Sequence, residues 1–166
     1  RKQRVEEFKK ETEKNIMARK EEEQRQKREN DYIEALLKKT KVELSESLVE
    51  QEAYAIMQDM KADIERRNHQ WQQFLESAGT TEEELIKKYK QEAERRIKVR
   101  LALQYVLKEE KIEVTEADYK AELEQMKSKY PEAEASKIDE EFKKGGLKEQ
   151  LANKLSLKKL FDKVLA

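Results

Sequence analysis

Cysteine is absent from these 166 residues, which excludes disulfides and thiol chemistry and fits a reducing compartment. Proline occurs once and glycine three times, so very little in the chain can break a helix. The lone histidine, His69, has Glu65 one turn before it but no second histidine, which excludes a HExxH-type metal site. Charge of one sign is lacking too. Thirty-seven Lys and Arg balance 37 Asp and Glu, so no net field draws nucleic acid or anionic lipid. No apolar run approaches the roughly 20 residues that a membrane-spanning helix requires. Arg1-Lys2-Gln3-Arg4 is followed by no apolar segment and is not a signal peptide. The opening, in mid-helix style and without Met, reads as part of a longer chain.

What is present points one way. Charged residues make up 45% of the chain and hydrophobic ones 36%, and Lys, Glu, Gln, Arg, Leu and Ala dominate, all good helix formers. The length suits one domain with a real core. The expectation is an all-α, elongated, multi-helix single domain over residues 1–166, with long antiparallel arms and much solvated surface.

An internal duplication organises the pattern. Lys41-Val42-Glu43-Leu44-Ser45-Glu46 has a counterpart seventy positions on, Lys111-Ile112-Glu113-Val114-Thr115-Glu116. Before it, Ile33, Leu36 and Leu37 fall opposite Leu103, Val106 and Leu107. After it, Val49, Ala53, Ile56 and Met60 fall opposite Tyr119, Leu123, Met126 and Tyr130, at the three–four spacing of a helical face. Each copy predicts helix, extended connector, helix, with Ser45 or Thr115 accepting from the free N–H groups of the next helix.

Along the chain, Val5 to Lys39 predicts one long helix. Val5, Phe8, Thr12 and Ile16 form a thin stripe, and Arg19 to Asp31, with no apolar residue, forms a bare solvated rod. A second helix is expected over Ser45 to Ala78, ending at Gly79. Thr80 or Thr81, each with Glu three residues on, then starts a third helix to about Glu110, folding back as an antiparallel hairpin. Its end, Ile97 to Leu107, is apolar nearly all round and is the candidate core, so Leu37, Leu101, Leu103, Val106, Leu107, Leu151 and Leu155 are expected to be buried. Thr115 starts a fourth helix that Tyr130-Pro131 ends. Ser136 starts a short one that Gly145-Gly146 stops, and Leu147 onward forms the last.

Catalytic chemistry finds no foothold. Glu21-Glu22-Glu23 and Glu82-Glu83-Glu84 are helix neighbours that point in different directions, and read as helix-dipole and solubility charges. Gly145-Gly146 lacks the rest of a phosphate loop. Arg95, Arg96, Lys98 and Arg100 are interrupted by acids and read as a solvated face rather than a nucleic-acid site. What remains is apolar surface. Tyr54, Met57, Met60, Trp71, Phe74 and Leu75 lie along a hairpin too thin to bury them all, and Met suits adaptable apolar binding. These six are the candidate contacts for an unfolded polypeptide. Core packing between the helices is the competing role for each one.

The ordered stretches Val42 to Glu50, Gly79 to Leu85, Glu92 to Leu101 and Lys111 to Glu116 resemble the C-terminal chaperone domain of bacterial trigger factor, over nearly the whole chain. Ser45 stands where that family usually has Pro, and both suit a helix start. The periplasmic SurA chaperones share a related helical core, but no signal peptide or second isomerase unit is visible here. The resemblance implies an ATP-independent chaperone domain of the bacterial cytoplasm, whose helical arms enclose a crevice for nascent or unfolded chains. It implies no enzyme in this chain: the prolyl isomerase and ribosome-binding domains of the full-length family lie outside it. It implies no cofactor, metal, nucleic acid or membrane, and leaves self-association into a weak dimer open. The alternative is a coiled-coil spacer, which the rod favours and the lack of sustained heptads disfavours.

Overall fold

Helix ends in this chain are set by side-chain caps and by residues in the left-handed region. A computed structural model describes residues 1–166 as seven helices: α1 Lys2–Lys39, α2 Glu46–Arg66, α3 Trp71–Ala78, α4 Glu82–Glu109, α5 Glu116–Lys127, α6 Glu132–Lys143 and α7 Gly146–Val164. There is no strand. The all-α expectation holds, including a helix, connector and helix in each copy of the duplicated segment. At both second-helix starts the cap is made as expected: Ser45 accepts from the Leu48 N–H at 3.2 Å, and Thr115 from the Asp118 N–H at 3.3 Å. The copies differ one step earlier. In the second, Lys111 takes φ +52° and the Ile112 N–H returns to the Leu107 carbonyl, the left-handed cap of a Schellman motif. In the first, Thr40 closes α1 by donating its hydroxyl to the Leu36 carbonyl at 2.8 Å.

Two boundaries differ from expectation. The long second helix breaks after Arg66, where Asn68 adopts φ +62° and the His69 N–H bonds the Ile64 carbonyl. Asn is the side chain that tolerates this conformation best after Gly. The sixth helix begins at Glu132, not Ser136, because Pro131 can precede a helix without losing a needed donor, and its carbonyl accepts from Glu134 and Ala135. Ser136 instead donates back to the Ala133 carbonyl.

The chain divides into two compact units, Ile33–Gln104, and Arg1–Tyr32 with Tyr105–Ala166. In the latter, α5, α6 and α7 share a core of Leu123, Leu151 and Leu155, with Tyr119, Met126, Ile138, Phe142 and Leu147 packed on it. Glu122, the one buried charged residue, receives Lys154 Nζ at 2.6 Å, since a buried carboxylate left alone is costly. Lys159 reaches from α7 to Asp118, which also accepts from the Thr115 N–H at 2.8 Å. α1 buries no residue, and Phe8 on its stripe is 70% exposed. Its charged stretch is laced by Arg19–Glu23, Arg25–Glu22 and Arg25–Glu29, pairs worth a few tenths of a kcal/mol each.

Of the expected core residues, Leu103, Leu151 and Leu155 are buried; Leu37, Val106 and Leu107 are half-buried; Leu101 is 38% exposed. The correction at Leu101 has a packing cause. α2 begins only at Glu46, and its cluster with α4 ends at Val49 and Ile97, so one turn beyond Ile97 the partner helix has run out.

Two stability predictions follow from the caps. The Lys159 ammonium, then the Thr115 amide and hydroxyl, hold the Asp118 carboxyl down to about 2 from 3.8. A depressed carboxylate stabilises the fold fully above its unfolded value and loses that contribution as pH falls from about 4 towards about 2. Asp118→Asn is therefore expected to lower the melting midpoint at neutral pH and to flatten its acid decline across that window. Lys111→Gly removes a left-handed penalty of about 1–2 kcal/mol against a flexibility cost of about 0.5–1 kcal/mol. It is expected to raise the melting midpoint by a few degrees, read by far-UV circular dichroism.

Candidate functional site

Small residues let two helices of the Ile33–Gln104 unit approach closely. Ala53 of α2 and Ala93 of α4 have no exposed surface, and Val49, Ile56 and Ile97 close around them. The pairing is antiparallel: Arg100 reaches Glu52 at 2.9 Å, while the Tyr89 hydroxyl reaches Met60 Sδ at 3.7 Å. The expected hairpin therefore forms, with its sharp corner at Gly79 (φ +63°) and Thr81 capping the Glu84 N–H. A Cβ at Gly79 would meet no atom within 4 Å, so its left-handed φ, not crowding, is what asks for glycine.

Near that corner a second cluster gathers Met57, Trp71, Leu75 and Leu85, with Met60, Ile64, Phe74, Ile86 and Tyr89 packed on it. Five of the six sequence candidates come together here, in two different environments. Met57 (0% exposed), Trp71 (7%) and Leu75 are buried. Met60 and Phe74 are half-buried, with Phe74 stacked on Trp71 at 5.5 Å between ring centres. Tyr54 stands apart, 50% exposed.

Tyr54 and Ile86 line an open groove of about 510 Å³ between α2 and α4. Charged side chains rim it: Glu50 and Lys90 at one end, Glu83 and Lys87 beside Ile86. Lys90 Nζ lies 3.3 Å from Glu50 and 3.6 Å from Glu46. The hydrogen bond that Lys90 donates to Glu50, with the charge of both carboxylates, raises the Lys90 pKa above its ordinary value, against an opposing desolvation. The ammonium thus braces the two helices at the edge of the groove. Ile86 and Lys90 were not among the sequence candidates. Their spacing on α4 was available, but which face of α2 they would meet was not.

The charged motifs resolve into braces. Arg95 pairs with Glu34 at 2.5 Å, Arg96 with Glu92 and Arg100 with Glu52. Glu82, read from sequence as a helix-dipole charge, accepts a hydrogen bond from Trp71 Nε1 at 2.8 Å. His69 is exposed in the turn before α3. No three His, Cys, Asp or Glu side chains gather closely enough to hold a metal ion, and no helix is long and apolar enough to cross a membrane.

The family model described as bacterial trigger factor protein (TF) C-terminus matches residues 4–166. The chain belongs to this family. Among curated proteins it is similar to trigger factor of Agathobacter rectalis, 31% identical over 159 residues, 96% of this chain and 35% of that protein. Trigger factor of Clostridioides difficile is 30% identical over 80% of this chain and 31% of its own length. That of Exiguobacterium sibiricum is 36% identical over 61% of this chain and 24% of its own. The chain thus spans about a third of the length of the first two. No solved structure matches it.

Burial separates the candidates by the cost of truncation. Met57→Ala, at a fully buried site of this trigger factor C-terminal chain, is expected to cost about 2–5 kcal/mol. Tyr54→Ser is expected to cost under about 1 kcal/mol, since half of Tyr54 is already in water. Urea titration followed by Trp71 fluorescence, with far-UV circular dichroism alongside, measures both.

Proposed function

We infer that this chain is an ATP-independent chaperone domain, residues 1–166 acting together, that binds apolar segments of unfolded or newly made polypeptides in the bacterial cytoplasm. Family membership supports this reading, and one structural observation carries it. Within Ile33–Gln104, Tyr54, 50% exposed, and Ile86 line an open groove whose charged residues, Glu50, Glu83, Lys87 and Lys90, balance in sign. Such a surface takes hydrophobic side chains without selecting the charge of their neighbours, as a promiscuous binder must.

Client contact belongs to Tyr54 and to the exposed parts of Met60 and Phe74. Met57, Trp71 and Leu75 support the surface from beneath. Each apolar side chain covered contributes at ~25 cal/mol per Å², and ordering the client offsets much of that. Binding is therefore weak and reversible, which release of a folding chain requires. Prolyl isomerisation is not assigned to this chain.

The test is aggregation of a chemically unfolded client, followed by light scattering without nucleotide. The chain is expected to delay it at a few-fold molar excess, and Tyr54→Ser to shorten the delay by at least half while leaving helicity unchanged. A full delay retained in Tyr54→Ser moves the contact surface away from the groove. No delay at any excess rejects the chaperone reading in favour of a helical spacer.

A further inference from the structure

Helix α3 is eight residues long and is bounded by two left-handed residues, Asn68 (φ +62°) before it and Gly79 (φ +63°) after it. An isolated helix of that length is not stable in water. α3 therefore persists because its apolar face, Trp71, Phe74 and Leu75, lies on the α2–α4 hairpin. One side-chain hydrogen bond ties it to its surroundings, Trp71 Nε1 to Glu82; its other one, Gln72 to Glu76, is internal. Beneath it lie Met57, Met60, Ile64, Leu85 and Tyr89, an apolar and methionine-rich face of the sort that repacks around varied partners.

We propose that α3 is an intramolecular stand-in for client: it occupies a second, covered seat on the α2–α4 hairpin and is displaced by polypeptide segments carrying aromatic side chains at i and i+3 and leucine at i+4. The proposal rests on the chaperone reading and deepens it. The occupant is named by what already sits there, since α3 itself presents Trp71, Phe74 and Leu75 at that spacing. Two backbone joints let the segment leave without disturbing α2 or α4. Trp71 and Glu82 form the latch, and both belong to the covered state only. Apparent client affinity is the intrinsic affinity of the open seat reduced by the fraction of molecules that are open. Weakening the latch must therefore strengthen client binding.

Three measurements on the whole chain test this. First, hydrogen exchange in the presence of a saturating, permanently unfolded, tryptophan-free client is expected to speed up at least about tenfold over residues 71–78 and to slow in α2 and α4. Unchanged or slower exchange in 71–78 overturns the proposal. Second, Glu82→Ala removes the latch acceptor and is expected to tighten client binding by up to about tenfold, the factor set by one lost hydrogen bond. Unchanged or weaker binding, with far-UV helicity intact, overturns it; if the variant loses helicity, the exchange experiment on the unmodified chain decides. Third, a client-free arm separates this proposal from the chaperone reading. In the cysteine-free background, thiol labelling of Met57→Cys is expected to be about tenfold faster with Glu82→Ala than without it. Equal rates reject the latch even if clients bind, whereas faster labelling in a chain that delays no aggregation supports the latch and rejects the chaperone reading.

Discussion

Met57 has no exposed surface, and three helices of the Ile33–Gln104 unit converge on the cluster it belongs to. A thioether at that point accommodates neighbours of quite different shape, the Trp71 indole from α3 and Leu85 from α4, because its unbranched chain adapts where a branched one would clash. The groove lined by Tyr54 and Ile86 and the cluster around Met57 both depend on α2 and α4 keeping this spacing. Ala53 and Ala93 set it on the Val49 side, and Met57 sets it near the Gly79 corner. A chain with 45% charged residues has few apolar side chains to spare, so each of these positions weighs heavily on the fold.

The charges do structural work of a different kind. Exposed ion pairs contribute little one at a time, yet here they join different helices, Lys90 to Glu46 and Glu50, Arg100 to Glu52 and Lys159 to Asp118, and Lys163 of α7 to Glu110 in the turn after α4. Such links select one register of helix against helix at small cost in affinity for water. They leave the surface nearly neutral on balance, and a neutral surface does not sort unfolded chains by charge. On the proposed reading, selection then falls to the apolar surface around Tyr54 and to what competes with α3 for its seat.

The sequence candidates for client contact show how far pattern reasoning reaches. Tyr54, Met57, Met60, Trp71, Phe74 and Leu75 lie along a hairpin too thin to bury them all. Five of them do gather at one place, so proximity was legible from helical spacing. Their exposure was not. The break at Asn68 turns α3 onto the hairpin, which buries Trp71 and Leu75 on the inner face of α3 and Met57 beneath it. Asn tolerates the left-handed conformation, but nothing local requires it there. The requirement comes from the apolar surface that α3 covers.

By itself the sequence determined the helical class, through the scarcity of Gly and Pro; the corner at Gly79, through its left-handed φ; and the duplicated starts at Ser45 and Thr115, through their side-chain oxygens. These are local effects, decided within a few residues of chain. The start of α6 after Pro131 and the break at Asn68 are local too in their hydrogen bonds, but several local options competed and packing chose among them. Tertiary structure alone decided that Leu101 is left partly in water, that Glu82 holds the Trp71 indole, and that Ile86 and Lys90 join Tyr54 at one groove. Each depends on where a partner helix begins and which face it offers, and neither composition nor periodicity carries that distance information.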